Sequence, residues 1–107
     1  MSVLLASGDL LFGSKVEGMI REAGFEPVAK PDPAAQLVIV DLTDSSTDPA
    51  AAIAEARGGQ EIPALAYYAH TDDDIRRAAL DAGFDLVVPR SRMMREGAAL
   101  IRGLIPA

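Results

Sequence analysis

Gln36-Leu37-Val38-Ile39-Val40-Asp41-Leu42 is an almost unbroken apolar run that ends in one carboxylate. Such a run suits a central strand of a parallel sheet, where helices on both faces leave no side for water. Asp41 then stands at the carboxyl end of that strand. In open α/β sheets ligands and reacting groups collect along that edge, so the acid marks a site or the remnant of one.

Working outward, Val3-Leu4-Leu5-Ala6 has the pattern of a short buried strand, and Ser7-Gly8-Asp9 breaks it as a strand-to-helix turn does. Phe12, Val16, Met19, Ile20 and Ala23 then recur at helical spacing, with Gly24 as the stop. Pro27-Val28-Ala29-Lys30 reads as a short edge strand, where proline is tolerated. Pro31-Asp32-Pro33 leaves too few residues before Leu37 for a full crossover helix. On the other side of Asp41, Thr47 or Asp48 caps a helix with Pro49 in its first turn, a body over residues 50–57 and Gly58-Gly59 at its end.

Residues 62–69 form another apolar strand that contains Tyr67 and Tyr68. Thr71 and Asp74 make a capping box for a helix that turns Ile75, Ala78, Ala79 and Ala82 inward, and the charges of Asp72 and Asp73 suit its N-terminus. Residues 84–88 are the last strand. A final helix over about residues 92–104 presents Met94, Ala98, Ile101, Leu104 and Ile105 to the sheet. The alternation β-α-β-β-α-β-α-β-α predicts one α/β domain over residues 1–107: a doubly wound, flavodoxin-like parallel sheet of five strands in the order 2-1-3-4-5, its second crossover helix short or missing.

Composition narrows the function. The 107 residues carry a net charge of −6, and an isoelectric point near 4.6 offers no basic face for a phosphate backbone, so nucleic acid is not an expected partner. With no cysteine and a single histidine, His70, a structural zinc site and thiol chemistry lack their residues. No run approaches membrane-spanning length and the start of the chain lacks a signal-peptide pattern, which leads to the expectation of a soluble, cytoplasmic protein. P-loop, dinucleotide and hydrolase motifs are absent, so no enzymatic activity is expected.

Three strand ends should converge on Asp41: Ser7-Gly8-Asp9, Tyr67-Tyr68-Ala69 and Pro89-Arg90-Ser91. With Val38-Ile39-Val40-Asp41-Leu42, residues 62–70 (IPALAYYAH), 79–85 (ALDAGFD) and 87–91 (VVPRS) in that order, the chain resembles a response-regulator receiver domain of the CheY-like superfamily over nearly its full length. In that family the aspartate ending strand three accepts a phosphoryl group and two acids after strand one hold Mg²⁺. A Ser or Thr after strand four and a Lys after strand five contact the phosphate. Counting from Gly24 and Gly83, the acidic pair falls on Ser7 and Gly8 and the lysine on Arg90, followed by Ser91 in place of proline; the hydroxyl position falls on Tyr68.

The resemblance is therefore to a degenerate or pseudo-receiver that keeps the phosphoacceptor-like Asp41 alone. The switch aromatic of the family is replaced by Leu86 or Val87. No cofactor is expected. Mg²⁺ enters only in the alternative of a Mg²⁺-dependent response regulator phosphorylated on Asp41, with Asp9, Asp41 and Thr43 as its ligands. In the main reading Arg90 is expected to reach Asp41 and take the place of metal and phosphate together. Tyr67 and Tyr68 are expected to pack with one phenol exposed, and Met93-Met94 to supply one core side chain.

What the resemblance then implies is two-component signal transduction by phosphorylation-independent protein–protein interaction. The partner is a protein, a histidine kinase or a transcription regulator, or a second copy. Receivers use the helix 4–strand 5–helix 5 face for such pairing, which here carries Arg76, Arg77, Asp81, Arg92 and Arg95. Small-ligand binding in the switch-point crevice is a third possibility, without a motif of its own.

Overall fold

The computed structural model describes residues 1–44, 46–69 and 73–105. Five strands and four helices follow in the order β1 (Ser2–Ala6), α1 (Leu10–Glu22), β2 (Glu26–Val28), β3 (Ala35–Asp41), α2 (Pro49–Arg57), β4 (Ala64–Tyr68), α3 (Asp73–Ala82), β5 (Leu86–Pro89) and α4 (Arg90–Leu104). The strands form one sheet in the order β2-β1-β3-β4-β5, and every pairing is parallel. This is the flavodoxin-like arrangement expected from the sequence. The two prolines within strands, Pro27 and Pro89, lie in the two edge strands β2 and β5, where a missing N–H breaks no ladder on the open side.

Side-chain alternation splits the core into two layers. Leu37 and Ile39 of β3 face α1 and α4 with Val3, Phe12, Val16, Ile20, Leu65, Tyr67, Val88, Met93 and Ile101. Val38 and Val40 face α2 and α3 with Leu4, Leu42, Ile53, Ala66, Tyr68, Ile75, Ala79, Phe84 and Val87. Ile39 is fully buried, and burial of one such side chain contributes about 1.5–3 kcal/mol. Small residues let the helices lie close: Ala56, Ala64, Ala66 and Ala79 are all buried.

Several faces differ from the sequence expectation. Tyr67 and Tyr68 are both buried, at 0% and 5% exposure. Neighbouring residues of a central strand point to opposite faces, and here both faces are covered, so each phenol enters a different core layer. Ala78 is exposed; the buried stripe of α3 runs through Ile75 and Ala79. Helix α4 starts at Arg90, directly after β5, and its inward stripe is Met93, Gly97 and Ile101, while Met94 is 46% exposed. The expected Thr71 cap, with Asp72 and His70, lies outside the described residues. Asp73 and Asp74 do occupy the first turn of α3, where the helix dipole favours acids.

Between β2 and β3 there is no helix. Residues 29–34 cross instead as a strap held by Gln60 Nε2 donating to the Asp32 carbonyl at 2.9 Å and Ser2 Oγ donating to Asp32 Oδ2 at 3.3 Å. Gly58 closes α2 in the left-handed conformation (φ 55°), and a Cβ there would stand 3.0 Å from Pro31, so the strap and the helix end require glycine on two counts. Among the described residues no helix is long and apolar enough to cross a membrane.

Helices α1 and α4 pack closely at Gly97. A Cβ added to Gly97 would lie 2.2 Å from Met19 Sδ. Gly97→Ala is therefore expected to destabilise the fold by about 1–3 kcal/mol through overpacking, read as the urea midpoint. In a Met19→Ala background the same substitution should cost nearly nothing, and an equal cost in both backgrounds would locate the strain elsewhere.

Candidate functional site at the carboxyl edge of the sheet

The register pairs Asp41 of β3 with Tyr67 of β4, and Ala6 of β1 with Val40. The loop after β1 and the end of β3 thus meet at one rim. Ser7 Oγ donates to Asp41 Oδ2 at 3.0 Å. Thr43 donates to the other oxygen twice, from its backbone N–H at 2.9 Å and from Oγ1 at 2.6 Å. The phosphoacceptor-like carboxylate is therefore held by three donors from its own rim, all uncharged.

Asp9 has a different task. It is the N-cap of α1, and its Oδ1 accepts from the N–H groups of Leu11 and Phe12 at 3.0 and 3.1 Å. Its Oδ2 accepts from Arg90 Nη2 at 2.9 Å. The Phe12 N–H above all, with Arg90 and the Leu11 N–H, holds its carboxyl below the usual carboxylate range, against the opposing effect of burial.

Arg90 does not reach Asp41, contrary to the sequence expectation. Its guanidinium stacks 4.2 Å over the Phe12 ring centroid while pairing with Asp9. The physical reason is that the first turn of α1 offers a carboxylate and an aromatic face side by side, whereas Asp41 is already satisfied by neutral donors. The ion pair itself is about one-third exposed at each end, so its own contribution is small; the ring contact fixes its geometry.

Tyr67 lies under this rim and packs on Phe12 with ring centroids 5.0 Å apart. Its hydroxyl oxygen is buried without a hydrogen bond among the described residues. The Ser7 hydroxyl is near enough to lower its pKa in the manner of a hydrogen-bond partner, yet its donor geometry is toward Asp41, and it makes no bond of proper geometry to the phenol. Burial pushes the phenol pKa far up, outweighing Ser7 and Arg90, while the charges of Asp41 and Asp9 add to the rise.

Above Asp41 opens a crevice of about 340 Å³ lined by Gly8, Asp9, Asp41, Thr43, Asp44 and Thr47. The residues singled out in the sequence are thus mostly brought together: Ser7, Gly8, Asp9, Asp41, Thr43 and Arg90 share the rim. Tyr68 is not with them; it is buried in the α2/α3 layer and does not line the crevice. Val87 is likewise in that layer, and Leu86 packs on the other.

Sequence reasoning missed Asp44, whose carboxylate accepts from Ser46 N and Oγ at 2.9 and 2.7 Å and is held below its ordinary pKa by them. Its signal was an acid three residues after Asp41. Phe12 as the seat of Arg90 had no sequence signal beyond its place in the first turn of a helix.

This donor set fits Mg²⁺ poorly. The ion requires carboxylate and water oxygens in octahedral array. Ser7 and Gly8 stand where the family has acids, Asp9 is engaged by a helix cap and an arginine, and no cluster of three metal-ligating side chains occurs among the described residues.

Tyr67→Phe removes the unpaired buried hydroxyl and keeps the ring on Phe12. An unpaired buried polar group costs about 1–3 kcal/mol, so the variant is expected to melt at a higher temperature than the parent. A lower melting temperature would show that the phenol has a partner in solution.

No family model and no curated protein matches the sequence. Solved structures do. The orphan response regulator HP1043 of H. pylori superposes with a TM-score of 0.72 at 18% identity, covering 99% of this chain and 97% of that one. An atypical orphan response regulator, whose structure revealed a new phosphorylation-independent regulatory mechanism, gives 0.69 at 18% identity over 96% and 93%. The Mn²⁺-bound response regulator Rcp1 gives 0.67 at 16% identity over 99% of both chains. The likeness runs over nearly the whole of each chain, and with five parallel strands in the order β2-β1-β3-β4-β5 the fold of this chain is that of the response-regulator receiver domains.

Proposed function

We propose that this chain is a receiver-like signalling module that binds a protein partner without phosphorylation of Asp41, and that it is not an enzyme. The observation that supports this most is the state of Asp41: three neutral donors hold its carboxylate, and Arg90, the cation that the described residues bring to the rim, is anchored on Asp9 and Phe12. With Ser7 and Gly8 in place of the acidic pair and Asp9 tied to a helix cap and Arg90, the rim holds a cation at the reacting oxygens only weakly, and a carboxylate attacks a phosphoryl group poorly when that charge is not neutralised. Neither metal nor phosphate then has a part in setting the state of the module.

The competing reading, a Mg²⁺-dependent phosphoacceptor, is favoured by one observation: the crevice above Asp41 is open and acidic. NMR separates the two. With millimolar Mg²⁺ followed by beryllofluoride, the amides of Asp9, Asp41, Thr43, Tyr68 and Arg90 are expected to stay in place, and Asp41→Asn is expected to leave partner binding unchanged. Saturable shifts at those amides, lost in Asp41→Asn, would establish phosphotransfer instead.

For the partner surface, the edge around β5 has suitable chemistry. Arg76, Arg77, Asp81 and Arg95 are exposed there, Arg92 pairs with Glu96 at 3.1 Å, and each flanking helix leaves one large apolar side chain in water, Leu80 on α3 and Met94 on α4. Mixed charge around isolated apolar anchors favours orientation-specific pairing. A second copy is the simplest occupant, since both signs of charge are present on the one face. Light scattering at high concentration is expected to give a mass near twice that of the 11.2 kDa chain, falling to the single-chain value in Arg76→Glu/Arg77→Glu. A single-chain mass for the parent would assign the face to a different protein.

A further inference from the structure

The crossover from β2 to β3 has no helix, and the sheet face that such a helix would cover is left with a groove. It measures about 230 Å³ and is lined by Leu4, Ala6, Val40, Ala52 and Ala56, with Ala29 and Pro31 of the strap as one wall and Asp41, Thr47 and Glu55 around its rim. Leu4 and Val40 form a floor only 2% exposed. The wall is preformed, because Pro31 rests on Gly58 and Asp32 is tied to Gln60 and Ser2.

We propose that this groove is a binding site for a small arylalkyl- or alkylammonium ligand. Three observations select that chemistry. The first is position: the groove lies at β1 and β3, where the order β2-β1-β3-β4-β5 reverses direction, which is where open α/β sheets take ligands. The second is size. A cavity of about 150 Å³ holds benzene, so 230 Å³ admits one ring with a short arm. The third is charge: of the described residues that line it, the charged ones are Asp41 and Glu55, both acids. Phosphate-bearing cofactors and carboxylates are repelled by that rim, whereas an ammonium group is attracted to it while its hydrocarbon covers the alanines. The site lies on the α2/α3 face of the sheet, apart from the β5 edge assigned to the partner.

Phenethylammonium, with its ring and two-carbon arm, is the probe. Titrated into the ¹⁵N-labelled chain it is expected to shift the amides of Leu4, Ala6, Val40, Ala52 and Ala56 saturably, with a dissociation constant on the order of 1 mM for so few atoms. Phenylpropionate, of similar size and opposite charge, should give no saturable shift. Ala52→Phe should fill the groove and abolish binding. Should that variant misfold, Glu55→Gln, at an exposed position, should weaken the amine by about two- to five-fold, the factor of one surface charge interaction. Absence of saturation at 20-fold that concentration would overturn the proposal, and so would equal binding of the two probes. Shifts confined to Gly8, Thr43 and Asp44 would overturn it as well, since they would place the amine in the acidic crevice.

Discussion

The burial of β3 on both faces constrains everything else in this molecule. A strand with Leu37 and Ile39 toward one helical layer and Val38 and Val40 toward the other has no water to satisfy its backbone. Parallel ladders to β1 and β4 do so, running unbroken on both sides over Val38–Val40. Those ladders fix the register, and the register brings the loop after β1 to the place where β3 ends. Asp41, the last residue of β3, is half-buried at that rim, although Leu42 after it returns to the core.

At that rim the distribution of charge follows from which groups are already satisfied. Arg90 stands at the start of α4 with two carboxylates within the same rim. One of them, Asp9, is fixed by two backbone N–H groups at the start of α1 and has an aromatic ring next to it. The other, Asp41, already has three donors. A planar guanidinium gains more from the first, where it is paired and stacked at once. The outcome is one network, Arg90-Asp9-α1, and a second, Ser7-Asp41-Thr43, joined where Ser7 Oγ accepts from the Asp9 N–H at 3.2 Å, with the cation paired to Asp9 and not to Asp41.

The missing crossover helix has the same origin in chain length. Residues 29–34 suffice to pass from one edge of β1 to its other side but not to form a helix, and the prolines at 31 and 33 stiffen the path. Two hydrogen bonds to Asp32 and the Gly58 contact replace what a packed helix provides elsewhere. The resulting groove is the direct structural difference between this sheet and one with a helix in every crossover.

The sequence by itself determined the element order, the strand order and the short crossover, because period-2 and period-3.6 apolar patterns, capping residues and stop glycines are local signals. It also placed Ser7, Gly8, Asp9, Asp41, Thr43 and Arg90 at one edge, since parallel strands bring every βα turn to the same end. Only the tertiary structure decided which of these groups touch. Arg90 chose Asp9 over Asp41 through an aromatic ring from another element. Tyr67, paired in register with Asp41, lies under the rim while Tyr68 turns to the opposite layer. Met93 rather than Met94 faces the core because α4 begins at Arg90 and must set Gly97 against Met19. Such choices depend on helix phase and on distances across the sheet, which are set by packing between residues far apart in the chain and leave no mark in the local pattern.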